Sequence, residues 1–425
     1  MMRMTIKMLS NFRVLIRSIL KSLLLMLLFA LVYSYSNNEH IREGVGDKGF
    51  DIFNKFLSVP FKSSMPKAPP ILLFGYDNDY MLYHHLWDED NNTNYGNLFH
   101  RSNIVAFIEA LDNRTQRLKA YQQAPPKALF IDFDLSFTLF PDGQTLSAED
   151  EALLNVLKKE RDYVIILPKT QTANFVEQSD DPKIQELIKK QQIIFASVGF
   201  SVSQDNTVRR YRTYESYHER GEEHKYSSAE VVLWQLAQNY PNPSTLPTGF
   251  KQRDVVANRI LFKGYETTLP IQSKWKNLKH YSVLRHFGTR GEKVVTSNYA
   301  GAIVMLGTTY SNNGDTFEVL NIFGNKLLSG VEIHTHALMT LFEFDGQLKL
   351  LPFWLTMMIV FGLYFMVDYP ISKAFNRWEI KMIEIRLLVP LTLALLLMAM
   401  ISWVLLQFGY WFDWFAPTVL FDIII

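Results

Sequence analysis

Four aspartates fall at the ends of two short apolar runs: Asp77 and Asp79 after Ile-Leu-Leu-Phe-Gly-Tyr, and Asp132 and Asp134 in Ala-Leu-Phe-Ile-Asp-Phe-Asp. Carboxylates in that place can hold a cation or a polar ligand, because open α/β sheets bind ligands outside the carboxyl ends of their strands. Arg101, at a helix start, would supply the opposite charge. The plainer role for strand-end aspartates is to cap loops and helix N-termini. Asp315, in Asn-Asn-Gly-Asp, is a further ligand candidate, with a turn role as its plainer reading. Arg209 and Arg210 either pair with these acids across the sheet edge or lie exposed on a strand.

Glu332, His334 and His336 are metal-ligand types, but helical positions two apart face different ways, so both histidines cannot easily reach one ion. The expectation is therefore no metal, with Glu332 stabilising a helix's first turn and one histidine packed on the sheet. Arg212, Tyr214, Tyr217, His218, Arg220 and His224, with Glu219, Glu222 and Glu223, form a polar, aromatic insertion. Tyr and Arg are favoured at interface hot spots, so Tyr214, Tyr217 and Arg220 are candidates for gripping a protein partner; a solvated excursion between strand and helix is the alternative. Gly44, Gly46 and Gly49 match G-x-G-x-x-G but follow no strand, and no Walker A or G-x-S-x-G string occurs. No catalytic set and no cofactor is assigned.

The elements that must position these residues read as short apolar runs alternating with helical patterns. Strands are expected at 71–76, 128–135, 163–167, 193–197, 208–214, 259–263 and 302–308, and helices at 102–111, 148–159, 182–190, 228–239 and 331–342. Ser147 with Asp150 marks a helix start. The alternation predicts an α/β domain, a mixed but mostly parallel sheet with flanking helices. With 43 basic and 42 acidic residues in 425, the net charge of +1 gives no support to nucleic-acid binding. Cysteine is absent, which removes disulfides and thiol chemistry and suits an exported domain.

Apolar stretches lie outside that domain, one near the N-terminus and two near the C-terminus. The first, Val14 to Tyr35, is broken only by Arg17 and Lys21, whose side chains can snorkel; it reads as a retained anchor rather than a cleaved signal. Arg3, Lys7, Arg13, Arg17 and Lys21 precede or enter it with no acidic residue, which predicts a cytoplasmic N-terminus. The expected organisation is a cytoplasmic start and span over 1–36, a stalk over 37–67 and a periplasmic domain over 68–350. Spans at 351–368 and 387–410 flank a basic cytoplasmic loop at 369–386, and an aromatic interfacial or re-entrant tail occupies 411–425. Trp411 and Trp414 in that tail are further partner candidates.

The stretch Gly-Ala-Ile-Val-Met-Leu-Gly-Thr-Thr from Gly301, then Asp315, then Gly-Val-Glu-Ile-His-Thr-His-Ala-Leu from Gly330, resembles the closing signature of CHASE2 domains, the extracytoplasmic sensor domains of bacterial signalling proteins. The run ending Asp132-Phe133-Asp134, the Phe99-His100-Arg101-Ser102 helix entry and Val208-Arg209-Arg210 are similar to further family patterns. The resemblance covers roughly residues 68 to 350. It departs in lacking the usual Trp-Pro-x-x-Arg entry, where Leu98-Phe99-His100-Arg101 stands, and in having two C-terminal helices and a stub rather than three helices.

The family commonly carries a kinase, cyclase or other effector downstream, and none is read here. The resemblance therefore implies a non-catalytic protein of the bacterial inner membrane. Its periplasmic domain would bind a ligand or protein partner, with a homodimer possible, and relay this through its helices to a separate effector. The alternative is a scaffold subunit of an envelope-spanning secretion or motor complex. A periplasmic hydrolase has only scattered acids behind it.

Overall fold

The computed structural model describes residues 2–36, 68–85, 87–88, 93–94, 100–135, 146–170, 174–203, 207–219, 222–251, 258–260, 278–287, 295–310, 315–321, 324–378 and 382–412. The Gly44 to Gly49 string, the stalk, most of the strand expected at 259–263, Arg220 and Trp414 lie outside them. The chain divides into two compact units: residues 1–57, 255–257 and 347–425, and residues 58–254 and 258–346. The first begins with helix α1 (Met2–Ser36).

The second unit opens with β1 (Ile71–Tyr76), α2 (Asn78–Tyr83), the two-residue strands β2 (Trp87–Asp88) and β3 (Thr93–Asn94), and α3 (Arg101–Ala120). There follow β4 (Ala128–Asp132), α4 (Ala148–Leu157), β5 (Val164–Lys169), α5 (Pro182–Lys189) and β6 (Ile193–Ser197). Next come β7 (Phe200–Val202), β8 (Val208–Tyr211), β9 (Tyr214–Glu219), β10 (Glu222–Ser227) and α6 (Ala229–Ala237). The unit closes with β11 (Leu278–Ser282), α7 (Val283–Phe287), β12 (Ile303–Thr308), β13 (Thr316–Asn321), β14 (Gly324–Ser329) and α8 (Gly330–Phe344).

Among the described residues β11-β1-β12-β4-β5-β6 form one sheet in that order, every pairing parallel. Parallel strands are covered on both faces, so they read as continuous apolar runs, and all six residues of β1 are buried. Alternation divides those runs between two cores. Leu72, Phe74, Leu129, Ile131, Ile165, Leu167, Val304 and Leu306 pack in one with α3, α4 and α5; Ile71, Leu73, Ala128, Phe130, Ile166, Ile303 and Met305 pack in the other with α6 and α8.

Antiparallel pairs sit apart from this sheet. The expected strand 208–214 breaks after Tyr211, and β8 pairs with β7. The insertion expected as a loop folds as the hairpin β9–β10, with Tyr217 turned inward so that its hydroxyl donates to the carbonyl of Lys169 at 3.0 Å. A second hairpin, β13–β14, leads into α8.

The other unit contains β15 (Lys349–Leu350), α9 (Phe353–Arg377), α10 (Ile383–Gln407) and β16 (Tyr410–Trp411) beside α1. Three of its helices are long and apolar enough to cross a membrane, over Asn11–Leu31, Phe353–Arg377 and Leu388–Leu406. A span expected to stop at 368 thus continues as helix to Arg377, through Pro370. α1 and α9 are antiparallel neighbours: the rings of Tyr33 and Phe353 lie 5.4 Å apart, and toward the other end Asp368 accepts from Ser18 Oγ at 2.6 Å and from Lys21 Nζ at 3.2 Å. Asp368 is fully buried, so this pairing removes a charge that a bilayer interior would not tolerate alone. β15 and β16 pair in parallel, tying the start of α9 to the chain leaving α10, and Trp411 and Phe412 are fully buried within this unit.

Candidate functional site

The carboxyl ends of β12 and β4 lie side by side, Gly307 opposite Asp132. A Cβ on Gly307 would stand 2.6 Å from Cβ of Val331, so glycine there lets the first turn of α8 settle onto the strand ends. Ser329 and Glu332 cap that turn reciprocally: Glu332 Oε2 accepts from the Ser329 N–H at 2.9 Å, the role expected of Glu332 from sequence. Asp315 joins the same turn. Its carbonyl accepts from the Gly330 N–H at 3.1 Å, and its carboxylate occupies the space where a Cβ on residue 330 would be.

Inside this turn His334 and Glu230 of α6 are both buried, with His334 Nδ1 2.8 Å from Glu230 Oε2. The ring of His334 meets Phe130 of β4 edge-on at 5.4 Å and lies 4.3 Å from Phe200 of β7. Burial alone would make the imidazole less basic; the charge and hydrogen bond of Glu230, then Asp132 and Asp315, overcome this and raise its pKa. Burial pushes the carboxyl of Asp132 up, Glu230 adds to the rise, and His334 opposes it. Asp315 is raised to about 7 by burial and by Asp132, against His334 and the Gly330 N–H. Asp132, Asp315, Glu230 and His334 thus form one electrostatic group at the sheet edge. Such an arrangement can exchange a proton near neutrality or answer an arriving charge.

The remaining sequence candidates are distributed otherwise. Asp77 caps α2, accepting from the Tyr80 N–H at 2.9 Å and from Ser282 Oγ at 2.9 Å, with Asp79 in the first turn. Arg101 is buried and ion-paired with Asp150, its guanidinium 4.4 Å above the ring of Phe175. Burial lowers its pKa to about 10, against Glu149 and Asp134. Asp134 itself is exposed. Arg209 and Arg210 are buried on β8, not exposed, and Arg210 Nη1 reaches Ser203 Oγ at 3.4 Å. Tyr214 is partly exposed on β9.

His334 and His336 are both buried, where one was expected to be, because α8 is enclosed by the sheet and α6. Among the described residues no group of three or more metal-ligating side chains is placed to hold an ion. Sequence reasoning places Asp132 at this edge and Asp315 in a turn, and misses Glu230. The signal available was a lone acid in the otherwise apolar Ala-Glu-Val-Val-Leu-Trp, which needs a partner once its helix is buried.

A parallel α/β unit in one chain with a unit of apolar, span-length helices defines a membrane-anchored domain protein. The CHASE2 domain model matches residues 110–367, more than half of the chain, and the protein belongs to that family. The match begins within α3 and ends within α9, so it includes Asp132, Glu230, Asp315 and His334 and leaves out Asp77, Asp79 and Arg101. No curated protein and no solved structure matches the chain.

Proposed function

We propose that this protein is a membrane sensor subunit without catalytic activity of its own. Its CHASE2 domain meets a ligand or a protein partner outside the cytoplasm, and its helices pass the event to a separate effector. The observation that carries this reading is the buried His334–Glu230 pair with Asp132 and Asp315. The group ties β4, α6 and the approach to β13 to the first turns of α8, and the chain runs from α8 through a short connection into α9. A sensor requires two states that a ligand binds unequally, and a ligand that alters the charge of this group would favour one position of α8 over another. We place the domain in the periplasm, the N-terminus in the cytoplasm and the protein in a bacterial inner membrane. The supports are the basic residues before the first span and the extracytoplasmic nature of the family.

Crosslinking in intact cells, read by mass spectrometry from purified membranes, tests the reading. A sensor is expected to yield crosslinks to itself and to an effector present below stoichiometry. Recovery of a stoichiometric assembly of several envelope proteins would replace it with the scaffold reading. Topology has its own measurement: alkaline phosphatase fused after Gly346 should be active and fused after Asn376 inactive, and the reverse result overturns the orientation.

A further inference from the structure

We infer that the end of the membrane unit where α1 begins its crossing and α9 completes its own is a binding surface for the phosphate of anionic phospholipids, with Arg13, Arg17, Lys373 and Arg377 as its cations. This rests on reading α1 and α9 as membrane spans, and not on what the other unit senses.

Depth separates the charges of these two helices into two sets. The contact between Tyr33 and Phe353 fixes one common level, an aromatic pair of the kind that marks a membrane interface. Ser18 and Asp368 both lie fifteen residues from it, or about 22 Å at 1.5 Å per residue, and they are hydrogen-bonded to each other. Arg13 and Lys373 both lie twenty residues from it, about 30 Å, the thickness of the hydrocarbon layer. Arg17 falls about 24 Å away and Arg377 about 36 Å, both within reach of the same plane through their long side chains.

Inside the hydrocarbon the protein supplies the counter-charge itself, Lys21 to Asp368. At the headgroup plane the described residues supply none. Arg13, Arg17, Lys373 and Arg377 are exposed, and among the described residues none has a carboxylate partner. No acidic residue occurs anywhere in α1.

The face that bears the arginines is a lipid face. Around α1, Val14, Ser18, Ser22, Phe29 and Tyr33 are buried, while Phe12, Ile16, Leu20, Leu24, Leu27 and Leu31 are exposed and share the arc of Arg13 and Arg17. Guanidinium groups standing among lipid-facing apolar side chains at that depth meet phosphate oxygens, with which they can form paired, charge-assisted hydrogen bonds. Trp378, exposed at the end of α9, supplies an aromatic anchor at the same surface.

The test uses the full chain in nanodiscs of phosphatidylcholine with graded phosphatidylglycerol, reading the phosphatidylglycerol retained after detergent extraction by native mass spectrometry. The wild-type protein should retain phosphatidylglycerol in preference to phosphatidylcholine. Arg13→Gln, Arg17→Gln and Lys373→Gln should each weaken retention about fivefold, the effect of one basic residue near an anionic surface. Lys373→Arg should keep it, and Lys349→Gln, at the opposite end of α9, should leave it unchanged. Loss of arginines can also disturb insertion, so the wild-type protein is measured in addition at about 0.05 and 0.5 M salt, where screening should release the lipid. Equal retention of the two lipids by wild type, or retention unmoved by both the substitutions and salt, overturns the inference. Displacement of the lipid by millimolar inorganic phosphate would assign the cations to a soluble anion and overturn it as well.

Discussion

Asp150→Ala is expected to lower the melting temperature of the full chain by about 10 °C. Two losses combine. The carboxylate is the ion-pair partner of Arg101, and both side chains are buried, so its removal takes this carboxylate from a buried guanidinium; breaking a buried pair costs about 3–5 kcal/mol. It is also the reciprocal member of the capping box at the start of α4, accepting from the Ser147 N–H at 3.0 Å while Ser147 Oγ accepts from its own N–H at 3.0 Å. That contributes about 1 kcal/mol. Asp150→Asn keeps an acceptor for Ser147 and loses the charge, so it should fall between. Arg101→Met with Asp150→Leu should recover most of the loss, since a buried pair replaced by apolar groups of similar size is close to neutral. Melts followed by near-ultraviolet circular dichroism check the series. A change under about 2 °C for Asp150→Ala would show that Arg101 does not depend on Asp150, and would return Arg101 to the ligand-binding candidates.

How far such features can be read from sequence depends on where the interacting partner lies. The strands 71–76 and 193–197 are legible to the residue, because parallel strands buried on both faces leave uninterrupted apolar runs. The cap formed by Ser147 and Asp150 is legible because both partners lie within one turn. The ion pair of Asp150 with Arg101 is not, because its partners meet only when α3 packs against α4. The hairpin β9–β10 escapes for a different reason. Glu-Glu-His-Lys-Tyr-Ser has no apolar alternation to announce a strand, and its pairing is set by the preceding strand rather than by a buried face. β11, Leu-Lys-His-Tyr-Ser, is an edge strand of the sheet and is polar for the same reason that edges usually are.

Charges within apolar helices are equally hard to read from sequence. Asp368 follows Val367, where hydropathy drops, so the span was expected to close there; the helix instead carries the acid inside and satisfies it with Ser18, Lys21 and Ser372. Glu230 is the parallel case in the α/β unit, an acid whose helix is otherwise apolar and whose partner, His334, lies more than a hundred residues away. Both could have been flagged by one rule: an ionisable residue in a buried helix must be paired, so its partner should be sought.

Asp315→Asn is expected to remove a pH dependence of stability that the wild-type protein carries between about pH 4 and pH 7. The carboxyl of Asp315 titrates at about 7 in the folded protein and near 3.9 in the unfolded chain. Between those values the folded state holds a proton that the unfolded state has released. Stability from this group is therefore fully present below about pH 4 and is lost as pH rises through 7, at about 1.4 kcal/mol per pH unit at its steepest and about 2–4 kcal/mol in all. His334 has the same sign, since its raised pKa gives stability that disappears as pH climbs past the folded value.

His286 opposes them both. Burial, with Arg114 nearby, lowers its pKa to about 3, so its contribution is present above about 6.5 and lost as pH falls. The melting curve of the wild-type protein alone can thus look flat from about pH 4.5 to 6.5 while two opposite titrations run beneath it. In the difference between wild type and Asp315→Asn, His286 cancels, leaving the titration of Asp315 with its share in raising His334, and asparagine imitates the protonated acid. The two proteins should melt alike near pH 4, and the wild type should fall behind by about 10 °C by pH 8. Asp132 helps to raise Asp315, while the carboxyl of Asp132 is itself held up by burial and Glu230 against His334. A difference that stays constant from pH 4 to 8 would mean that Asp315 is ionised throughout. The group at the sheet edge would then answer to a bound cation or partner rather than to a proton.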